Sequence, residues 1–160
     1  MKRMLSLLCA VLFTLSLAAC GGGEEEPATL GQAIKQDFQA QGKADPDADL
    51  ETLAQALLDN EALGFAPMVM PVEPGLLQGF GNTEIQGFSQ GVMFGPAIST
   101  IPFLGYLFRQ EEGTDRSAFL QTLERAADLQ WNICTAADEL VMDRQGDLVF
   151  FLMCPQSMEG

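Results

Sequence analysis

The side chains available for covalent or acid–base chemistry in this sequence are cysteines and carboxylates, because the chain contains no histidine. Histidine is the commonest general base and a frequent zinc ligand, so histidine-based nucleophile triads and histidine zinc sites are excluded. Adjacent carboxylates occur at Glu111–Glu112 and Asp138–Glu139, where solvated loop residues are a simpler interpretation than an acid–base pair. The composition therefore predicts a protein that is not an enzyme, with no catalytic residues and no cofactor.

Two cysteines carry the alternative interpretation, a thiol-dependent redox or enzymatic protein. These are Cys134 and Cys154, which lie in the last quarter of the chain. A reactive thiol needs a depressed pKa, which a neighbouring cation normally supplies. The surroundings of both cysteines are acidic and lack histidine, so we expect any shift of their pKa to run upward.

The segment "DPDADLETLAQA" places Asp45, Asp47 and Asp49 at alternate positions, as in an EF-hand calcium loop. The pattern then fails, since the sixth position is Leu50 instead of glycine and the twelfth is Ala56 instead of glutamate. Asp49 is well placed to cap a following helix. We therefore predict no metal site here, with a weak external calcium site as the remaining alternative.

The first nineteen residues are typical of a secretory signal. Met1-Lys2-Arg3 is positively charged, and the uncharged apolar stretch from Met4 to Ala19 follows it. About 16 apolar residues are fewer than the roughly 20 that a membrane-spanning helix needs. Residues 1–19 are therefore predicted to be a cleaved signal peptide.

The end of that stretch, Leu17-Ala18-Ala19-Cys20, resembles the lipobox of bacterial lipoproteins. The resemblance implies that Cys20 becomes the first mature residue and carries lipid, including palmitate, on the extracytoplasmic face of the cell membrane. An ordinary cleavage site with a chance cysteine is the alternative. Three glycines and three glutamates follow, a composition typical of a flexible, solvated tether.

Charge limits the partners of the mature chain. The whole sequence has a formal net charge of −14, and removal of Lys2 and Arg3 with the signal leaves six basic residues against 22 acidic ones, or −16. So acidic a surface repels nucleic acid and anionic headgroups. The predicted partners are therefore the membrane, through lipid on Cys20, and an envelope protein or small ligand.

Helical patterns occur in three places. Leu50, Leu53, Ala54, Leu57 and Leu58 lie on one helical face after Asp49, and this helix is predicted to end near Gly64. A longer helix is predicted over 116–133. Residues 29–41 carry a thin apolar stripe that fits either a short helix or a partly disordered neck.

Strand patterns occupy the rest of the chain. We predict strands within 84–94 and 100–110, and a β-hairpin in "DELVMDRQGDLVFFLMC" with Gly146 in its turn. The predicted fold is a small single α+β domain, with helices packed on one face of a short, mostly antiparallel sheet ending in that hairpin. The predicted divisions are residues 1–19, a lipidated tether and neck over 20–49, and the domain over 50–160.

Aromatic residues supply the candidate binding surface. No charged residue occurs from Ile85 to Phe108. A buried core is the simpler interpretation of this stretch, and a surface that binds a partner is the alternative. The candidate binding residues are Phe88, Phe94, Phe103, Tyr106 and Trp131.

A disulfide between Cys134 and Cys154 is also predicted. If the 116–133 helix packs on the last strand, both cysteines end at the same pole of the domain. Secretion makes the bond chemically permissible. Two buried, reduced thiols are the alternative.

The order of these parts resembles that of bacterial lipoproteins with domain of unknown function 4358. The likeness consists of the lipobox, the acidic tether, a helix, "LLQGFG" at residues 76–81, strands ending near "YLFRQE", a long helix and an apolar terminal hairpin. It covers most of residues 50–154. The resemblance implies a membrane location and an α+β fold, and implies no particular reaction.

Overall fold

The computed structural model describes residues 27–158, apart from Ala62 and Ser99. The predicted signal peptide, lipobox and tether lie outside the described residues. Three helices are present, α1 (Leu30–Ala44), α2 (Leu50–Leu58) and α3 (Arg116–Ala126). The strands are β1 (Pro67–Pro71), β2 (Gly75–Leu76), β3 (Glu84–Ile85), β4 (Phe88–Pro96), β5 (Leu104–Gln110), β6 (Glu139–Gln145) and β7 (Leu148–Cys154).

Five of the strands form an antiparallel sheet in the order β1-β4-β5-β7-β6. The β2–β3 pair forms a separate small sheet. The predicted α+β class, with helices on an antiparallel sheet that ends in a hairpin, is confirmed. None of the helices in the described part of the chain is long and apolar enough to cross a membrane.

Strand alternation divides the core into two layers. On β7, Leu148, Phe150, Leu152 and Cys154 face a cluster that contains the buried residues of α1 and α2. The intervening residues face a second cluster, which contains Phe119 and Leu123 of α3 together with the β2–β3 region. We call these the α1/α2 face and the α3 face. The helices thus cover both faces of the sheet rather than one.

Helix α1 belongs to this core. Its cap residue Thr29 accepts a hydrogen bond from the Gln32 amide, and Leu30, Ile34 and Phe38 are buried. The Phe38 ring stacks on Phe150 with centroids 5.0 Å apart. Of the two alternatives for residues 29–41, the structure shows the helix, and the domain begins there rather than at residue 50.

Helices α2 and α3 both end earlier than predicted. Asp49 caps α2 as expected, but the helix stops at Leu58. Asp115 caps α3, which has 11 residues instead of continuing to Ile133. The reason is local, because Ala127 leaves the helical region at ψ 124° and the Asp128 amide donates to the Gly79 carbonyl at 2.8 Å.

The terminal hairpin matches the prediction. Gln145 pairs with Leu148, so two residues form the turn, and Gly146 has φ +63°. Glycine reaches this left-handed region without steric cost. The two predicted strands before the hairpin are also found, as β4 and β5.

Candidate functional site

Most of the predicted aromatic surface is core. Phe88, Phe94, Phe103 and Tyr106 are all buried. Strands β4 and β5 have a hydrogen-bonded neighbour on each side, and their aromatic side chains belong to the two core clusters that cover the faces of the sheet. Four of the five residues are therefore not exposed at the surface, and the uncharged composition of 85–108 accompanies their burial. Trp131 alone of the five is partly exposed.

Three of the five nevertheless meet at one end of the sheet. This end is formed by the last residues of β4 and β7 and the first residues of β1, β5 and β6. Helix α1 begins here, since Thr29 Oγ1 donates to Glu139 Oε2 at 3.0 Å and the Leu30 amide donates to the Gln156 carbonyl at 2.8 Å. We call it the Thr29 end, and the opposite end, where β5 finishes, the Gln110 end.

A cavity of about 320 Å³ opens at the Thr29 end. Phe94, Phe103 and Trp131 line it together with Met68, Met93 and Leu104. No charged side chain is among the described residues that line it. Its size falls at the lower limit of small-ligand pockets, and its lining combines apolar and aromatic side chains with the polar Gln78 and Asn132.

Two loops frame the cavity. Residues 97–103 join β4 to β5, and residues 127–138 join α3 to β6. The Thr100 carbonyl accepts hydrogen bonds from Thr135 Oγ1 at 2.5 Å and from Asn132 Nδ2 at 3.4 Å, which holds the loops against each other. The Trp131 indole N–H is buried without a partner in the described part of the chain. This N–H is therefore unsatisfied within that part of the fold and is not exposed on the cavity surface.

Met68 was not among the predicted site residues. It lies in the Met-Pro-rich segment "APMVMPVEPG", where β1 pairs with β4 and places Met68 opposite Gly95. A signal was present in the sequence, because methionine is frequent at adaptable apolar binding surfaces.

Tyr106 offers no acid–base chemistry to the site. Its hydroxyl donates to the Gln78 carbonyl at 3.0 Å. Burial raises the pKa of this phenol well above its ordinary value of 10.0. The side chain therefore stays neutral and holds the loop before β3 on the sheet.

Cys134 and Cys154 are both free, so the predicted disulfide is not formed in the structure. Cys154 is buried and faces α1/α2, whereas the segment that contains Cys134 packs on the α3 face through Trp131 and Ala137. The prediction assumed that the helix before Cys134 lies on the same face as Cys154. The alternation of β7 separates them across the sheet.

The Cys154 thiol has an environment that disfavours the thiolate. The Cys154 thiol donates to Glu139 Oε1 at 3.6 Å. Burial raises the pKa of Cys154 far above its usual value, and the negative charge of Glu139 raises it further. Cys134 is exposed. The thiol-dependent alternative therefore gains no support from the site.

A second cavity, of about 380 Å³, lies at the Gln110 end. Gln110 is only 5 % exposed, and both atoms of its side-chain amide lack a hydrogen-bond partner among the described residues. Glu111, Glu112 and Asp147 also line this cavity. Sequence reasoning missed Gln110, because nothing in the pattern distinguishes a buried glutamine at a strand end from an exposed one.

The acidic segment before α2 acts as a cap. Asp49 Oδ2 accepts from the amide and the hydroxyl of Thr52, each at 3.0 Å, and these bonds lower the pKa of Asp49. Asp45 Oδ1 accepts from the Asp47 amide at 3.2 Å. Among the described residues, no group of three acidic or cysteine side chains is placed to hold a metal ion.

Comparisons with protein-family models, with curated proteins and with solved structures give no match. The resemblance to lipoproteins with domain of unknown function 4358 therefore depends on the order of elements alone.

Proposed function

We propose that the protein is a lipid-anchored, extracytoplasmic lipoprotein of the cell envelope that acts as a non-enzymatic binding or accessory module. The observation that carries the proposal is the uncharged cavity of about 320 Å³ at the Thr29 end. It offers apolar contacts from side chains such as Phe94, Phe103 and Met93, and none of the described residues that line it is a nucleophile or a carboxylate. Such a lining suits retention of an apolar group of a small ligand or of an envelope protein.

Three further features support the anchored part of the proposal. Leu17-Ala18-Ala19-Cys20 resembles a lipobox, and the apolar stretch before it is too short to span a bilayer. The domain begins at Thr29, so few residues separate it from Cys20. The resemblance to lipoproteins with domain of unknown function 4358 points to the same location.

Anchoring is tested with Cys20→Ser. We expect metabolic labelling with a palmitate analogue to mark the parent protein and not the variant, because the thiol carries the lipid. The domain should keep its fold, since the core residues in the described part of the chain begin at Leu30. Labelling of the variant at the parental level would contradict lipid attachment at Cys20.

Binding at the cavity is tested by blocking it. Ala97 lines the cavity and is exposed, so Ala97→Trp should fill the opening without disturbing the core. The matched control is Glu112→Trp, an exposed position at the Gln110 end. We expect cross-linked membranes to yield a partner with the parent and the control but not with Ala97→Trp. Equal capture by all three proteins would contradict the cavity as the binding site.

A further inference from the structure

The Thr29 end of the domain carries two large aliphatic side chains that are almost completely exposed. Ile98 is 96 % exposed and Ile133 is fully exposed. Elsewhere in the described part of the chain, the exposed large apolar residues are Met70 and Leu76, which are less exposed. A single exposed apolar residue is ordinary. Two aliphatic side chains that are almost completely exposed on adjoining loops are unusual. Such a pair points to an apolar surface that covers them when the protein is in its functional setting.

Their loops are held together. Ile98 lies two residues before Thr100, whose carbonyl accepts from both Asn132 and Thr135. Ile133 lies between these two donors. The loops that carry the isoleucines therefore project from one end of the molecule as a unit, beside the partly exposed Trp131.

The described part of the chain also begins at this end, at Pro27. Residues Cys20 to Glu26 number seven, which span at most about 24 Å when fully extended and about 15 Å as a flexible coil. A seven-residue strand such as β7 is itself about 23 Å long. The tether is thus too short to let the Gln110 end face the bilayer without nearly full extension. The Thr29 end is the one that remains close to the membrane.

We propose that Ile98 and Ile133 insert into the interface of the bilayer to which Cys20 is anchored. This inference rests on the proposed lipid anchor. The isoleucines contribute apolar contact, and the tether makes that weak contact effective by keeping the local concentration of bilayer high. Even a single acyl chain binds membranes only marginally, so two isoleucines do not hold the domain there by themselves.

Charge decides which part of the bilayer they contact. Asp128, Asp138 and Glu139 lie on or next to the loop that carries Ile133. Acidic groups are repelled by anionic headgroups, so the attraction is to the boundary of the hydrocarbon and not to lipid phosphates. The contact should therefore persist when ionic strength is raised. The cavity lined by Trp131 then opens beside the membrane.

Cys134 provides a native reporter for this contact. It is exposed and adjacent to Ile133, whereas Cys154 is buried with a raised pKa and Cys20 carries the lipid. An environment-sensitive fluorophore on Cys134 is observed in the full lipidated protein, reconstituted into phosphatidylcholine vesicles with a minor fraction of phosphatidylglycerol. We expect its emission to shift to shorter wavelength and to be quenched by nitroxide-labelled lipids. The detergent-free Cys20→Ser protein supplies the aqueous baseline.

Three comparisons make the outcome decisive. The blue shift should be lost in the Ile98→Ser, Ile133→Ser double variant and kept in Met70→Ser, which removes an exposed apolar side chain from the middle of edge strand β1. A fluorophore at Glu112→Cys in a Cys134→Ser protein should keep its aqueous emission, because that site lies at the Gln110 end.

Aqueous emission from Cys134 in the attached protein overturns the inference, as does an equal shift at both labelled sites. A shift that appears in cell membranes but not in pure vesicles also overturns it, because the isoleucines then meet a protein. If the lipidated and Cys20→Ser proteins fractionate alike, the anchor itself is wrong and the proposed function fails first.

Discussion

At the scale of single residues, chemical properties follow from local surroundings more than from residue type. Cys134 and Cys154 are both thiols, yet one is exposed and the other is buried beside a carboxylate. Asp49 is one of 22 acidic residues, and two hydrogen bonds from Thr52 distinguish it from most of them. Each case leads to a measurable difference between otherwise similar groups.

Iodoacetamide at neutral pH should modify Cys134 and spare Cys154 in the folded protein. Burial and the charge of Glu139 raise the pKa of Cys154, so its thiolate is scarce and inaccessible. Both thiols should react after unfolding in denaturant without reductant, and Cys134→Ser should show no modification when folded. Mass spectrometry that found neither thiol modified in the unfolded, non-reduced protein would instead support the disulfide.

The Asp49 cap should make α2 sensitive to acid. Hydrogen bonds from Thr52 lower its pKa below its ordinary value of 3.8, so its stabilisation is present above that pH and is lost as the pH falls through the folded-state pKa. Asn caps equally well and does not titrate, which makes Asp49→Asn the control. When the pH is lowered from about 5 to about 3, the melting temperature of the parent should fall further than that of the variant. Parallel curves would contradict the predicted linkage.

At the scale of elements, helix α1 shows how tertiary packing stabilises a helix whose sequence pattern is weak. Its apolar stripe consists of Leu30, Ile34 and Phe38, which is thin for an isolated helix. Burial of that stripe on β6 and β7 stabilises the helix, as tertiary packing does for most short helices. Glu139 completes the arrangement by accepting from the Gly31 amide at 2.9 Å.

Phe38→Ala should destabilise the whole domain. The ring is fully buried and stacked on Phe150, and removal of such a side chain costs about 3–5 kcal/mol in the free energy of unfolding. Gln41→Ala is the control, because Gln41 is an exposed residue of the same helix. Denaturant unfolding monitored by circular dichroism measures both. A Phe38→Ala effect no larger than that of the control would place α1 outside the cooperative unit.

At the scale of the whole molecule, the chain combines a strong excess of negative charge with an apolar core of two layers. The formal net charge of the chain is −14, and Arg109–Asp147, at 3.2 Å, is the ion pair found in its described part. Attraction between surface charges therefore contributes little. Self-repulsion among carboxylates is the larger electrostatic effect.

Raising the NaCl concentration from about 0.01 M to about 0.15 M should increase the melting temperature, because the Debye length shortens to about 8 Å and repulsion is screened. Differential scanning calorimetry of the mature protein at pH 7 measures the change. Sucrose at matched osmolality controls for non-ionic solvent effects. A fall in melting temperature with salt would indicate that attractive ion pairs outweigh the repulsion.

Sequence alone determined the features that depend on neighbours along the chain. The Asp49 cap, the Gly146 turn, the terminal hairpin and the α+β class could be predicted, because capping, left-handed φ and apolar alternation act over a few residues. The predicted signal and lipobox are of the same local kind. The absence of histidine is a matter of composition and needs no structure to establish.

Tertiary structure decided which surfaces these elements share. Sheet order buried Phe94 and Tyr106 between two layers, and the register of β7 put Cys154 on the face away from the segment that contains Cys134. The Asp128 amide donates a hydrogen bond to the Gly79 carbonyl, which is distant in sequence, and α3 ends just before this contact. Contacts between distant residues depend on sheet order and register, which no local pattern encodes. Only the fold could therefore place Trp131 and the two exposed isoleucines at the end of the sheet where α1 begins.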